Sequence, residues 1–242
     1  MSKHVIEAAA VVLTLALLGA PALRAQAPEP MQHEGQSGEH GGGHGAPSPD
    51  GAFHKRFDDA AKWVKKFDDP ARDAWQKPKK VIAALRLSRN ERVADIGAGT
   101  GYFAAKIAKR IPHGKVYAVD VEPDMVTYLG ERAQRERLAN LTPVQSTAES
   151  ANLPEPVDLA LVVDTFHHIG YRERYFAALK ERLTPKGRLV IIDFKADSPD
   201  GPPVEHRIPP EEVKKELEAA GYSFVKSYDF LPRQYFLVFE KQ

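Results

Sequence analysis

The sequence predicts an α/β fold, a mainly parallel sheet covered by helices on both faces. Three observations predict it. Apolar, β-branched runs alternate with amphipathic helical patterns from Arg92 to Asp193, the pattern left by strand–helix–strand crossovers. Val93-Ala94-Asp95-Ile96 runs into Gly97, Gly99 and Gly101, and a helical pattern starts at Tyr102. Asp95, Asp120, Asp164 and Asp193 all fall at the carboxyl ends of expected strands, the edge where open α/β sheets bind ligands.

The elements follow in chain order. Met1–Glu7 is polar and carries Lys3, Ala8–Ala20 is apolar apart from Thr14 and Gly19, and Ala25-Gln26-Ala27 follows. Residues 1–27 read as a secretory signal peptide, with an apolar stretch too short to cross a bilayer comfortably. Glu7 beside that stretch and Pro28 after the A-x-A site depart from the pattern. Cleavage after Ala25 and an uncleaved membrane anchor therefore stay open. The signal-peptide reading expects export to the periplasm or the medium, with only transient membrane contact through the N-terminus. Residues 28–52 are rich in Gly, Pro, Ser and His. They offer too little apolar surface to offset chain entropy, so a disordered linker is expected. His33, His40, His44 and His54 either bind a transition metal loosely or are solvated, and no metal site is assigned.

Residues 53–88 predict a helical lid. Phe57, Trp63, Val64 and Phe67 among charges suggest an amphipathic helix over Phe53–Lys66. Asp69-Pro70 opens another, with an acid cap and proline at the first helical position. It carries Trp75, breaks at Pro78 and continues through Val81–Leu85. From 89 to 242 the core domain is expected, with strands at Arg92–Ile96, Lys115–Val119, Thr142–Gln145, Val157–Val163 and Arg188–Asp193. Helices are expected at Tyr102–Arg110, Pro123–Arg137, Arg172–Leu183 and Pro210–Ala220, the last capped by Gly221. Two late strands, Ser223–Tyr228 and Tyr235–Glu240, would form a closing hairpin with one strand antiparallel to the rest. Tyr235 and Phe236 read as strand packing.

The glycine loop carries the first chemical signal. Glycines permit a tight turn and let a ligand approach bare backbone, and the helix that follows presents free N–H groups. A dinucleotide site requires G-x-G-x-x-G. Here the spacing is G-x-G-x-G, and Tyr102 stands where the third dinucleotide glycine would be. The acid before the loop suggests a ligand with positive charge. Asp120, at the tip of the second expected strand, either accepts ribose hydroxyls or caps the helix starting near Pro123.

Five ordered motifs then resemble one family: D-I-G-A-G-T-G-Y-F at 95–103, A-V-D-V-E-P-D-M at 118–125, Ala148-Glu149 followed by Leu153-Pro154, Val157–Val163 running into Asp164-Thr165-Phe166-His167-His168-Ile169, and Leu183-Thr184-Pro185-Lys186-Gly187-Arg188-Leu189. From about Pro70 to Glu240 the chain resembles class I S-adenosylmethionine-dependent methyltransferases of the small-molecule, type 11 kind. The resemblance implies a Rossmann-like three-layer sandwich with a seven-stranded sheet of order 3-2-1-4-5-7-6 and one antiparallel strand. It implies that Asp95, Gly97, Ala98, Gly99, Thr100 and Gly101 hold the methionine portion of S-adenosyl-L-methionine and that Asp120 binds its ribose. Val121 and Met125 would lie near the adenine, Ala148 and Glu149 at its edge, and Asp164 would close the pocket. The family's D-A-E pattern is Thr147-Ala148-Glu149 here, so an acid at the adenine amino group is missing. N-terminal helices in this family pack across the cleft mouth. Arg72, Trp75 and Gln76 are accordingly lid residues or ordinary packing.

The expected function is methyl transfer from S-adenosylmethionine to a small-molecule acceptor. His167 and His168 follow the fourth strand, where the family places substrate-facing residues, and imidazole suits general-base work near neutrality. The sequence does not distinguish between the two. Lys195, His206 and Arg207 either receive an anionic or phenolic acceptor or belong to a solvated loop. A formal net charge of +1 gives no general attraction to nucleic acid, and Asp164-Thr165-Phe166-His167 lacks the prolines of the N/D-P-P-Y/F corner of nucleic-acid amine methyltransferases. The absence of cysteine excludes disulfides, thiolate nucleophiles and cysteine-held zinc, and weighs against arsenic-methylating relatives. Two other functions compete. One is a non-enzymatic binding protein of the same fold, suggested by export away from a cytosolic cofactor. The other is a nicotinamide-dependent oxidoreductase, disfavoured by Tyr102.

Overall fold

A computed structural model describes residues 50–53 and 55–242. The expected signal peptide, most of the expected linker and His33, His40, His44 and His54 lie outside the described residues. Among the described residues, the Asp50 carbonyl accepts the Tyr171 N–H at 2.9 Å.

Seven strands form one sheet: β1 (Arg92–Ile96), β2 (Lys115–Asp120), β3 (Leu141–Gln145), β4 (Val157–Val163), β5 (Leu183–Phe194), β6 (Tyr222–Tyr228) and β7 (Gln234–Lys241). Their order is β3-β2-β1-β4-β5-β7-β6. β1 to β5 pair in parallel, and β7 runs antiparallel to both β5 and β6. This is the expected Rossmann-like order, with its single reversed strand. The central strands are apolar on both faces because helices cover both faces. The helices are α1 (Ala60–Phe67), α2 (Arg72–Gln76), α3 (Pro78–Ala84), α4 (Tyr102–Arg110), α5 (Pro123–Arg135), α6 (Arg172–Lys180) and α7 (Pro210–Ala219). Val81, Ile107 and Leu129 bring α3, α4 and α5 against one face, over Val93, Leu161 and Ile192. Phe176, Val213 and Leu217 bring α6 and α7 against the other, over Ile96, Ala160 and Ile191. Each fully buried side chain of this kind stabilises the fold by roughly 1.5–3 kcal/mol.

The order reverses between β1, which leads to β2, and β4, which leads to β5. A cleft is expected outside the strand ends at such a switch point. Among the described residues no helix is long and apolar enough to cross a membrane.

The first helix departs from expectation. It starts at Ala60 rather than Phe53, because the preceding backbone donors are taken by partners on the core. Phe53 N–H donates to His167 O at 2.8 Å, Phe57 N–H to Glu122 Oε1 at 3.2 Å and Asp59 N–H to Asp124 Oδ2 at 2.8 Å. Helix α6 stops at Lys180, short of Leu183, because Leu183 is already paired with Val157 in the sheet. The break at Pro78 is present. Lys77 adopts φ 45° and Pro78 opens α3, the first-turn position where its missing N–H costs nothing.

Candidate cofactor and acceptor site

The loop after β1 follows from its glycines. Gly97, Gly99 and Gly101 have φ of 71°, 54° and 86°, a region that L side chains rarely adopt. A Cβ on Gly97 would also lie 2.3 Å from the Thr165 side chain, so the tips of β1 and β4 touch only because that carbon is absent. Gly97 and Ala98 N–H donate to Val119 O at 2.8 and 2.9 Å, and Gly99 N–H donates to Asp120 Oδ2 at 2.7 Å. Glu122 N–H donates to Asp120 Oδ1 at 3.0 Å. Asp120 thus ties the glycine loop to the turn before α5. A carboxylate accepts about four hydrogen bonds, so acceptor positions remain for a ligand.

The four strand-end acids meet at one edge, and burial dominates the electrostatics of Asp95, Asp120 and Asp164. Asp95 is 3% exposed, and burial pushes its carboxyl up to about 7. Burial pushes Asp164 up to about 6 and raises Asp120 as well. Arg72, from α2, opposes this for Asp95 and Asp164, and its Nη2 donates to Asp164 Oδ2 at 3.3 Å. Asp164 itself sits at φ 54°, a strained conformation of the kind found at functional sites. Its other oxygen accepts from Gln234, which in turn accepts from Gln76. Carboxylates disfavoured by burial, beside bare glycine backbone, fit a ligand with positive charge and hydroxyls. They do not fit a pyrophosphate, whose charge they would repel.

The two histidines have different surroundings. His167 Nδ1 lies 2.9 Å from both Asp193 oxygens. The His167 and Phe194 N–H groups also donate to Asp193, at 3.3 and 2.8 Å. An acceptor-only carboxylate requires Nδ1 to carry the hydrogen, which leaves Nε2 as an acceptor. His168 Nδ1 instead meets the Phe53 carbonyl at 2.6 Å. Burial, with His167 beside it, depresses its pKa to about 4.

The described residues between 50 and 69 lie across the strand ends as a strap. Arg56 grips Glu122 through Nε at 2.7 Å and Nη2 at 2.9 Å. The Phe67 ring lies 3.3 Å from where a Gly99 Cβ would be. Asp68 accepts from Thr100 Oγ1 at 3.2 Å and from Arg132 Nη1 at 2.9 and 3.0 Å. Sequence reasoning missed Glu122, Arg56, Asp68 and Arg132. Only Glu122, beside Asp120, carried a local signal.

The remaining expected residues are more dispersed. Met125 is fully buried, whereas Val121 is half exposed. Ala148 and Glu149 lie on the loop after β3, beside Tyr171 and Arg174. Thr147 Oγ1 accepts the Glu149 and Ser150 N–H groups, so it shapes the turn. Lys195 and Arg207 spend their donors on backbone carbonyls. Lys195 Nζ reaches Leu231 O, and Arg207 reaches Pro202, Ala196 and Ser198. His206 stacks on Phe53 with centroids 4.5 Å apart. Trp75 packs near Phe194 at 6.1 Å. A polar hollow lined by Ser88, Glu91, Asp158, Thr184 and Arg188 lies at the opposite edge of the sheet.

Known proteins share this arrangement. A family model described as a methyltransferase domain matches residues 93–187. The crystal structure of an S-adenosylmethionine-dependent methyltransferase from Aquifex aeolicus is 30% identical, with a TM-score of 0.70, over 76% of this chain and 99% of that one. Magnesium protoporphyrin IX methyltransferase of Synechocystis PCC 6803, solved with bound S-adenosylhomocysteine, shares the fold at 18% identity. Its TM-score is 0.55, over 72% of this chain and 86% of that one. The ubiquinone/menaquinone biosynthesis C-methyltransferase UbiE of Cupriavidus metallidurans is 28% identical over 120 residues, 47% of each chain. The chain spans less than half the length of the curated relatives it matches. S-adenosylmethionine is the cofactor of the family that these likenesses define. The fold, the glycine loop and the likeness to nearly the whole Aquifex enzyme lead to one conclusion: the chain belongs to the class I S-adenosylmethionine-dependent methyltransferases.

Proposed function

We propose that the chain transfers the methyl group of S-adenosylmethionine to a small-molecule acceptor. The observation that carries this reading is the carboxyl edge of the sheet, where Asp95 and Asp120 are buried and Asp164 half-buried beside three left-handed glycines. Asp95 and Gly97, Ala98, Gly99, Thr100 and Gly101 hold the methionine portion. Asp120 takes the ribose hydroxyls, Val121 and Met125 flank the adenine, Ala148 and Glu149 meet its edge, and Asp164 closes the pocket. When bound, the cofactor supplies an electrophilic methyl on a positively charged sulfur. The protein's own task is alignment and exclusion of water, which contributes roughly 7–11 kcal/mol in favourable cases. His167 receives the acceptor's proton at Nε2, and Asp193 holds its tautomer and orientation. His168, whose Nδ1 faces a carbonyl, lines the acceptor side. The biosynthetic role in UbiE's name supports a small acceptor.

We further propose that residues 1–27 export the chain, that 28–52 form a linker whose last residues, from Asp50, already pack on the core, and that 53–88 act as the lid of the domain formed by 89–242. Calorimetry on the full chain with S-adenosylmethionine, S-adenosylhomocysteine and NADH tests the cofactor reading. Both sulfur ligands should bind, and binding of NADH alone overturns it. Asp120→Ala should weaken S-adenosylhomocysteine by about 1.5–3 kcal/mol, the scale of a hydrogen bond to a charged acceptor. Unchanged affinity in the folded variant removes Asp120 from the ribose site. Cell fractionation tests export, which fails if the protein stays in the cytosol with Met1 retained.

A further inference from the structure

Among the described residues, one buried side-chain polar atom lacks a hydrogen-bond partner, the Tyr235 hydroxyl. Tyr235 is 6% exposed. Buried hydroxyls are nearly always paired, and an unpaired one calls for a ligand or a functional reason. Its position supplies one. Tyr235 stands directly opposite Asp193 in the β5–β7 register, so both side chains lie on the same face of the sheet. His167 hydrogen-bonds that same Asp193. Asp193 does not accept from Tyr235. Its oxygens are taken by His167 Nδ1 and by the N–H groups of His167 and Phe194. Burial, with Asp193 and Asp164 nearby, holds the Tyr235 hydroxyl far above the ordinary phenol range, so it stays a neutral donor. The rings of His168, Phe53 and Phe194 border His167, with centroids at 4.2, 6.3 and 6.5 Å. They favour a flat acceptor.

We propose that Tyr235 Oη and His167 Nε2 together hold the reacting oxygen of an aromatic hydroxyl acceptor, which makes this chain an O-methyltransferase. The proposal rests on the methyl-transfer reading above. Lone-pair counting selects oxygen. A hydroxyl has one hydrogen to give His167 and two lone pairs, one to accept from Tyr235 and one to attack. A neutral amine has a single lone pair, which the Tyr235 donor would occupy. A carbon nucleophile offers Tyr235 nothing to bond. In the step, the acceptor oxygen loses its proton to His167 Nε2 and forms the new bond to the methyl carbon. The electron pair of the broken carbon–sulfur bond stays on sulfur.

The test uses the full chain saturated with S-adenosylhomocysteine and titrated with 4-nitrophenol or 4-nitroaniline, followed by absorbance. The nitrophenol should bind, and the nitroaniline should bind about tenfold more weakly. Tyr235→Phe should weaken the nitrophenol about five- to tenfold, the scale of one hydrogen bond. Its S-adenosylhomocysteine affinity should be unchanged and its melting temperature equal or higher, because an unpaired hydroxyl has been deleted. Equal nitrophenol affinity in Tyr235→Phe, equal binding of the two probes, or no nitrophenol binding by protein that holds S-adenosylhomocysteine overturns the proposal. Failure to bind S-adenosylhomocysteine at all instead overturns the methyl-transfer reading.

Discussion

The sheet and the strap are held by different forces. In the sheet and the helices packed on it, Leu161, Phe239 and the α6 residue Phe176 are fully buried between layers. In the strap, Ala60 is the single buried residue of α1. Its hold comes from charge pairs at Glu122 and Arg132, and from partly exposed rings such as Phe57 against Trp63 at 4.9 Å. Apolar burial is stabilising at any ionic strength, whereas exposed ion pairs contribute little and are screened by salt. The sheet therefore sets global stability. The strap, resting on the same strand ends, belongs to the low-stability fraction that opens locally.

The largest expected effect breaks the sheet side of this contrast. Phe176→Ala empties a core position where Phe176 stacks on Phe166 at 5.2 Å, and should cost about 3–5 kcal/mol in urea unfolding. A cost below about 1 kcal/mol would mean that the core is not where stability lies.

A second prediction concerns the strand-end acids and pH. Asp95 has a folded pKa near 7, above its unfolded value. The folded state thus binds the extra proton, and the associated stability is fully present below about pH 4 and lost as pH rises through 7. Asp164 acts in the same direction up to about 6. His168, depressed to about 4, acts oppositely, and its contribution is lost as pH falls from 6.5 through 4. Asp95→Asn should therefore raise the melting temperature at pH 8 and change it little at pH 4, while weakening the cationic cofactor. An equal shift at both pH values would show that Asp95 does not titrate in this range.

The smallest expected effect sharpens the strap side. Asp68→Asn should accelerate tryptic cleavage at Lys62, Lys65 and Lys66 while shifting global unfolding by only about 1 kcal/mol. High salt should reproduce the acceleration in the unmodified protein. Cleavage that tracks global unfolding would show the strap to be part of the core.

What the sequence revealed follows the same division. β1 and β4 were legible because runs buried on both faces need no partner information. The glycine loop was legible because its positive φ values are a local requirement. The strap was not. Arg56 and Glu122 are 66 residues apart, and Phe53–Asp59 looked helical only because tertiary partners for its backbone donors are invisible in a pattern. His167 and His168 are neighbours in the chain, and only packing decides that one faces Asp193 and the other Phe53. Tyr235 was rightly read as strand packing, yet that its buried hydroxyl has no partner depends on tertiary packing that a strand pattern does not show. For Lys195 and Arg207 the choice between receiving an acceptor and lying in a solvated loop stayed open, because loop carbonyls do not announce where they will point.

Arg72 has a consequence for the catalytic cycle. It bonds Asp164, acts on Asp95 and lies 4.3 Å from the Tyr102 ring centroid. The cleft thus keeps one resident positive charge among its acids. In the proposed reaction the cofactor arrives as a cation and departs as a neutral thioether. The arriving form competes with Arg72 for the same carboxylates, and the departing form has nothing with which to compete. On that proposal Arg72→Ala should tighten binding of the cationic cofactor and leave that of S-adenosylhomocysteine unchanged.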